Sequence, residues 1–248
     1  MKKLTLELDN LLKRTNGDPE IIKAIKSEKT LFPYSVETRL LAYFLAIGEI
    51  TYDKYSQLYA EYCERNQYLD LFDMTSRTYG QTWGEQHIRS LFPEFIKATK
   101  KNISAEYPAF DGEFDLWLDG IRIEVKACRA NNAKAGGSLA SRAYSHSEAK
   151  AAGFKYHYQQ LKPSCCDVFI WIGTCRDELF YWVLTSEELQ KTGKLSPQHR
   201  NENTGVAEVE VFEGQVFMTE EDLKPFLVEE KNILKSVREK RAKQEPVI

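Results

Sequence analysis

Several common features are scarce or missing in this 248-residue chain. It has five cysteines (63, 128, 165, 166 and 175), an odd number with none in a C-x-x-C pattern. That argues against a disulfide framework and fits a reducing compartment. Its four histidines are scattered, which leaves no structural zinc signature. No run of 18 apolar residues exists, so no membrane-spanning helix and no membrane partner are expected. No apolar stretch follows Met1-Lys2-Lys3, so no secretory signal is expected and the chain reads as cytoplasmic. Only eight prolines and 13 glycines, with 12% aromatic residues, exclude collagen-like or largely disordered chains. There is no G-x-x-x-x-G-K-[ST] loop, hence no nucleotide cofactor. There is no G-x-S-x-G elbow, and no cysteine sits near a histidine in a suggestive pattern. The net charge of −3 shows no overall excess of either sign.

What is present reads as a globular α/β (α+β) protein with three regions. Residues 1–76 are expected to be helical. Val36 to Ile47 carries an apolar stripe at helical spacing. Tyr52, Tyr55, Tyr59 and Tyr62 line one helix face, either toward a core or as a docking face for nucleic acid or a second subunit. Residues 77–218 form the expected core. Thr82 to Leu91 reads as a helix, with Thr82 and Glu85 spaced as a capping box and Pro93 closing it. An extended segment follows around Phe95 to Thr99. From Asp111 the period becomes two. Glu113, Asp115 and Trp117 are assigned to one face, Phe114, Leu116 and Leu118 to the other. Asp119-Gly120 is a hairpin turn leading into Ile121 to Ala127, with Ile121, Ile123 and Val125 opposite Arg122, Glu124 and Lys126. Residues 129–153 read as a mobile loop, Phe154 to Leu161 as a helix, and Asp167 to Thr174 and Glu178 to Leu184 as apolar strands. A short helix over Ser186 to Gln190 precedes a polar loop to Gly205. Short strands are expected at Val206 to Phe212 and Gln215 to Met218. Residues 219–248 form a charged extension, with Phe226 to Lys243 read as a solvated amphipathic helix.

The chemistry concentrates on the hairpin. If Asp115 shares the face of Glu124 and Lys126, two carboxylates and one ammonium converge. Mg²⁺ needs one or two carboxylates, with waters and a substrate phosphate completing its shell. Such an ion polarises a phosphodiester and activates water. A lysine beside it offsets developing charge and orients, or helps deprotonate, the attacking water. The plain alternative is a surface ion-pair ladder across a hairpin.

The order of helix with Glu85, extended segment, Asp115 strand, Asp-Gly turn and Glu124-Val125-Lys126 strand resembles the PD-(D/E)xK nuclease superfamily over roughly residues 82–185. The resemblance implies a restriction-endonuclease-like core, a mixed central sheet flanked by helices. It makes Asp115, Glu124, Lys126 and Glu85 the candidate catalytic residues, with Asp115 and Glu124 as ligands of a Mg²⁺ cofactor and Glu85 supporting the metal. Asp115 follows Phe114 where many members have proline, which keeps Asp111 as a rival ligand. Glu113 is a possible helper.

Residues 126–163 carry seven lysines and arginines against Glu148 alone. A local basic stretch beside a metal site suits a polyanionic substrate, although an ordinary basic surface loop has the same composition. Arg129, Asn131, Asn132, Lys134, Arg142 and Lys155 are the candidate DNA-binding residues, because arginine, lysine and asparagine reach phosphates and base edges. Gln159 and Gln160 are placed on the following helix, facing either the site or solvent. Within the superfamily the size resembles a type II restriction endonuclease, which implies double-stranded DNA as partner and a homodimer cutting both strands. Two other readings stay open, a repair or junction-selective nuclease and a non-catalytic DNA-binding protein on the same scaffold.

Overall fold

The computed structural model describes residues 3–27, 35–198 and 214–242. The expected strand at Val206 to Phe212 and the second half of the polar loop, residues 199–205, lie outside them. The chain divides into two compact units. One comprises residues 1–74, 131–147 and 175–178, and the other 75–130, 148–174 and 179–248.

The first unit is helical, as its sequence periodicity predicts. It contains α1 (Lys3–Arg14), α2 (Pro19–Ser27), α3 (Val36–Ala46) and α4 (Tyr52–Glu64). Leu4, Leu8 and Leu11 of α1, Leu40, Leu41 and Phe44 of α3, and Leu58 and Tyr62 of α4 bury one common core. Ser35 and Thr51 start α3 and α4 by accepting the N–H groups of Thr38 and Lys54, which satisfies donors left open at a helix start. The tyrosine stripe of α4 stacks in series, with centroids 6.4, 5.7 and 6.2 Å apart. Its inner end, Tyr62, is buried, and its outer end, Tyr52, is exposed. The stripe therefore runs from core to surface and does not face the core along its whole length.

The loop expected over residues 129–153 has local structure. Asn131 bridges Ala143, Ala140–Arg142 forms a 3-10 turn, and residues 146–151 form a short helix. Leu69 and Phe72 pack with Leu139, Ala140 and Ala143 in the first unit. The Arg176 N–H and Nη1 reach the carbonyls of Tyr144 and Ala143. The His146 N–H donates to Asp177 Oδ1 at 2.8 Å.

The second unit is mixed α/β. It begins with a π-helical turn, Thr78–Trp83, which runs into α5 (Gly84–Leu91). No capping box forms at Thr82. The residue before α5, Trp83, is already helical, so the helix needs no side-chain cap there. Next come β1 (Ile96–Lys97), α6 (Lys100–Ile103), β2 (Leu116–Leu118), β3 (Ile121–Arg129), α7 (His146–Ala151, of which this unit holds the residues from Glu148), β4 (Tyr156–Leu161), β5 (Val168–Thr174) and β6 (Leu179–Thr185). The chain continues through α8 (Ser186–Lys191), β7 (Ser196–Pro197), β8 (Gly214–Met218), α9 (Glu220–Leu223), β9 (Leu227–Val228) and α10 (Ile233–Ala242).

A six-stranded sheet has the order β1-β2-β3-β5-β6-β9, and a three-stranded sheet the order β4-β8-β7. Among the described residues only β3 and β5 pair in parallel, so the central sheet is mixed. One face of that sheet, with Ile123, Val125, Val168, Ile170, Ile172 and Val183, is covered by Ile88 of α5 and by Ile233 and Val237 of α10. On the other face Phe169, Trp171, Trp182 and Leu184 meet Tyr156, Tyr158 and Leu161 of β4 and Val216 and Met218 of β8. All seven β5 residues are buried, the pattern of a strand covered on both sides.

Three expectations are corrected here. Phe154 to Leu161 is not a helix, because β4 pairs antiparallel with β8 and buries Tyr156, Tyr158 and Leu161. Phe114 does not share a face with Leu116 and Leu118. It packs with Tyr107, Phe110 and Trp117, because regular pairing begins only at Leu116. The charged C-terminal helix is not merely solvated, since Ile233 and Val237 are fully buried. Among the described residues no helix is long and apolar enough to cross a membrane.

One glycine of β5 is needed for close approach. A Cβ at Gly173 would come within 2.5 Å of the Trp182 ring and 2.7 Å of the Tyr156 ring. Gly173→Ala is therefore expected to cost about 1–3 kcal/mol, the usual range for overpacking, read as a lower midpoint in urea unfolding.

Candidate functional site

The site is built on the β2–β3 hairpin. Leu118 pairs with Ile121 across Asp119-Gly120, whose φ values of 49° and 85° satisfy a turn needing two positive φ angles. This turn sets which side chains of β3 point which way. Ile121, Ile123 and Val125 enter the layer under α5 and α10, so Arg122, Glu124 and Lys126 take the opposite face. Arg122 is held there by Asp167, at 2.8 Å to Oδ1 and through its backbone N–H at 2.9 Å to Oδ2.

Asp115 sits where β2 begins. Its N–H donates to the Ile123 carbonyl at 3.0 Å, and its carbonyl accepts the Ala98 N–H at 2.9 Å. Its Oδ2 accepts the Val125 N–H at 2.9 Å. The side chain thus takes the place of the missing next residue of β2 and satisfies a strand donor that would otherwise be open. This fixes the carboxylate against β3 beside Glu124.

Glu124 Oε1 lies 2.6 Å from Lys126 Nζ, and both side chains are largely buried. Glu85, in the first turn of α5, is buried too, with Oε2 2.6 Å from Lys97 Nζ of β1. Asp115, Glu124, Lys126 and Glu85 line a single cleft of about 520 Å³. Ser76, Arg77, Glu113, His157, Gln159, Gln160 and Lys162 complete much of its wall. A groove of about 580 Å³ in the helical unit has no carboxylate in its lining and holds no comparable cluster.

The electrostatics fit a site short of positive charge. Burial, then the Glu124 charge, pushes the Asp115 carboxyl up to about 7. Burial also raises Glu124, against the pull of Lys126 and Lys162. Glu85 is raised by burial and by Asp115, against the pull of Lys97. Lys126 moves the other way from most buried lysines. Burial would lower it, but Glu124 and Asp115 together raise it, so its ammonium stays charged at neutral pH. Lys126 can therefore stabilise negative charge and orient a polar group, and it is not a resting base.

Among the described residues no three His, Cys, Asp or Glu side chains converge to hold a metal by themselves. Mg²⁺ does not need such a cage, because it usually binds through one or two carboxylates and keeps its waters. Hard carboxylate oxygens raised by burial and mutual repulsion are groups that a divalent cation would relieve, so Asp115 and Glu124 fit it.

The other sequence candidates fall as follows. Asp111 is exposed, pairs with Lys100 at 2.9 Å and does not line the cleft. Glu113 lines the cleft and accepts the Asp111 N–H. Arg129 is buried, its guanidinium 4.5 Å from the Tyr79 ring centre. Lys155 is exposed in the same unit. Asn131, Asn132, Lys134 and Arg142 belong to the helical unit. There Asn132 accepts the Lys134 N–H, and Arg142 reaches the Ala135 carbonyl.

Sequence reasoning missed Lys97, His157 and Lys162. Lys97 was findable, since an extended segment follows the Glu85 helix and its one lysine is next to pair. The other two depend on β4 being a strand. Comparison with family models, with curated proteins and with solved structures found no match to this chain.

Proposed function

We propose that this chain is a Mg²⁺-dependent endonuclease of the PD-(D/E)xK kind, with a restriction-endonuclease-like core, that hydrolyses phosphodiester bonds of double-stranded DNA at a specific sequence. The observation that carries this reading is the gathering of Asp115, Glu124, Lys126 and Glu85 in one cleft by a hairpin and the adjoining helix. A solvated ion-pair ladder would not bury three carboxylates and raise them together.

Asp115 and Glu124 would hold the ion, with Glu85 supporting it from α5. When bound, the ion polarises the phosphodiester and lowers the cost of deprotonating water. The chain's own residues do the rest. Lys126 keeps a fixed positive charge beside the carboxylates, where negative charge grows on the phosphate in the transition state. Lys97 holds Glu85 in place. Lys162 and Arg77 add positive charge to the cleft wall, where a polyanion would be drawn in. Two copies related by a two-fold axis would cut both strands of a palindromic site.

The test is incubation of the purified chain with long unmethylated DNA, with Mg²⁺ and with EDTA in parallel. Discrete fragments only with Mg²⁺ are the expected result. A smear would shift the reading to a structure-selective or non-specific nuclease, and intact DNA in both lanes would remove sequence-specific cleavage of duplex DNA.

The basic stretch makes a separate prediction. Lys134→Ala and Lys155→Ala, both at exposed positions, are expected to weaken DNA binding and to reduce the salt slope by about 1 each. Titrations at three salt concentrations measure this, and an unchanged slope would take that lysine out of the interface.

A further inference from the structure

Strand β4 carries an irregularity at the cleft. It pairs with β8 as Tyr156↔Met218, His157↔Phe217 and Tyr158↔Val216, then resumes at Leu161↔Gly214. Three steps on β4 match two on β8, so one extra residue is accommodated at Gln159-Gln160. Gln160 has φ +54°, a left-handed conformation that side chains rarely adopt. Among the described residues the only other non-glycine with positive φ is Asp119, which the hairpin turn requires. The bulge is locked on both sides. Tyr158 and Leu161 are 1% and 0% exposed, and Tyr158 stacks on Trp171 with centroids 4.3 Å apart. The Gln160 N–H, released from the ladder, donates to Gln198 Oε1 at 2.6 Å.

A bulge beside a site commonly re-aims a side chain, and strain held by a rigid surround is a functional signal. Here it turns two consecutive glutamines outward, and both line the cleft with Glu124 and Lys126. Regular alternation would put one of them into the layer of Tyr158 and Leu161. A glycine would adopt φ +54° without strain, so a glutamine there keeps an amide that the backbone alone does not need.

We propose that the Gln159-Gln160 bulge reads base edges next to the bond to be cut and so sets the sequence preference of the cleft. This rests on the nuclease reading above. The chemistry of the pair supports it. A carboxamide both donates and accepts, as adenine does at its N6 and N7, and it carries no charge. Being neutral, it releases no counterions from the phosphates, and its contribution is discrimination between sequences and not salt-dependent attraction.

The test uses the full-length chain and the double variant Gln159→Ala/Gln160→Gly, which removes both amides and leaves the bulge a residue that suits its φ. A pool of random-sequence duplexes is selected by binding in EDTA, where no cutting occurs. The best sequence is then titrated at several salt concentrations, and melting temperature is measured as a check on folding. The expected result is a relaxed sequence preference, with affinity for the best sequence about tenfold weaker, an unchanged salt slope and a melting point no lower than that of the unsubstituted chain. An unaltered preference overturns the proposal. So does a loss of affinity equal for all sequences, or the absence of any preference in the unsubstituted chain.

The same pool with Mg²⁺ separates the two readings. Cutting by the unsubstituted chain with unrelaxed preference in the variant keeps the nuclease and removes the bulge's role. Relaxed binding preference with no cutting does the reverse. Neither binding nor cutting removes both.

Discussion

Asp115→Asn and Glu124→Gln are each expected to lower Mg²⁺-supported DNA cleavage by about a thousandfold or more, with circular dichroism unchanged. Either change keeps the shape of the side chain and removes one of two carboxylates that would hold the ion. Lys126→Gln should cost about a hundredfold or more, the range seen when one fixed charge-stabilising group is removed. The double change Glu124→Gln/Lys126→Gln should cost much less than the product of the two single losses. The two groups form one ion pair at 2.6 Å, and residues that act as a unit do not add. Single-turnover cleavage at saturating protein measures all four. A Lys126→Gln variant that cuts at the unsubstituted rate would falsify the role given to the ammonium. Full activity in Asp115→Asn with loss in Asp111→Ala would move the ligand to Asp111, against the place of Asp111 outside the cleft.

The second large effect is on stability, and its sign is opposite to that of most point substitutions. Burial and the Glu124 charge raise Asp115 to about 7 in the folded chain, from an ordinary value of 3.8. A carboxyl that holds its proton more tightly when folded favours folding at low pH. That contribution is complete below the unfolded value of 3.8 and is lost as pH rises through about 7. Asp115→Asn removes the ionisation, so the variant should exceed the unsubstituted chain by about 1–4 kcal/mol at pH 8. The difference should vanish near pH 4. Thermal melts of both proteins across this range give the comparison, and parallel curves would show that the carboxyl is not raised. Added Mg²⁺ should lift the melting point of the unsubstituted chain at pH 8 and lose that effect below pH 6, where protons compete for the same oxygens.

Much of this site is legible in the residues alone. The Asp119-Gly120 turn and the alternation through Ile121, Glu124 and Lys126 place the hairpin correctly, since turn chemistry and period two are local. The apolar runs of β5 and β6 are legible for the same reason. The failures have a common cause. In β4, Tyr156 and Tyr158 alternate, but the next buried residue is Leu161, because the bulge shifts the count by one. Phe154, Tyr158 and Leu161, at i, i+4 and i+7, mimic a helix face, and the strand partner lies far along the chain at β8. Phe114 escapes the alternation because it stands just before the ladder starts, where period two no longer binds it. Thr82 has the right spacing for a cap, but a helical turn already wound through Trp83 makes the cap redundant. Local rules hold wherever the pairing is regular and fail at its irregularities, one of which lies in the cleft.

The alternation of β3 has a consequence for how this chain can vary by descent. A change of residue at 122 alters one position and its contact with Asp167. A gain or loss of a single residue inside β3, between Ile121 and Glu124, that no bulge absorbs would do something else. It would carry Glu124 and Lys126 into the apolar layer of Ile88, Ile170 and Val237, and bring Ile123 and Val125 out to the cleft. Strand β3 can drift in composition at its outward positions, yet its length before Glu124 is constrained, because one step of insertion or deletion that no bulge absorbs turns the site inside out.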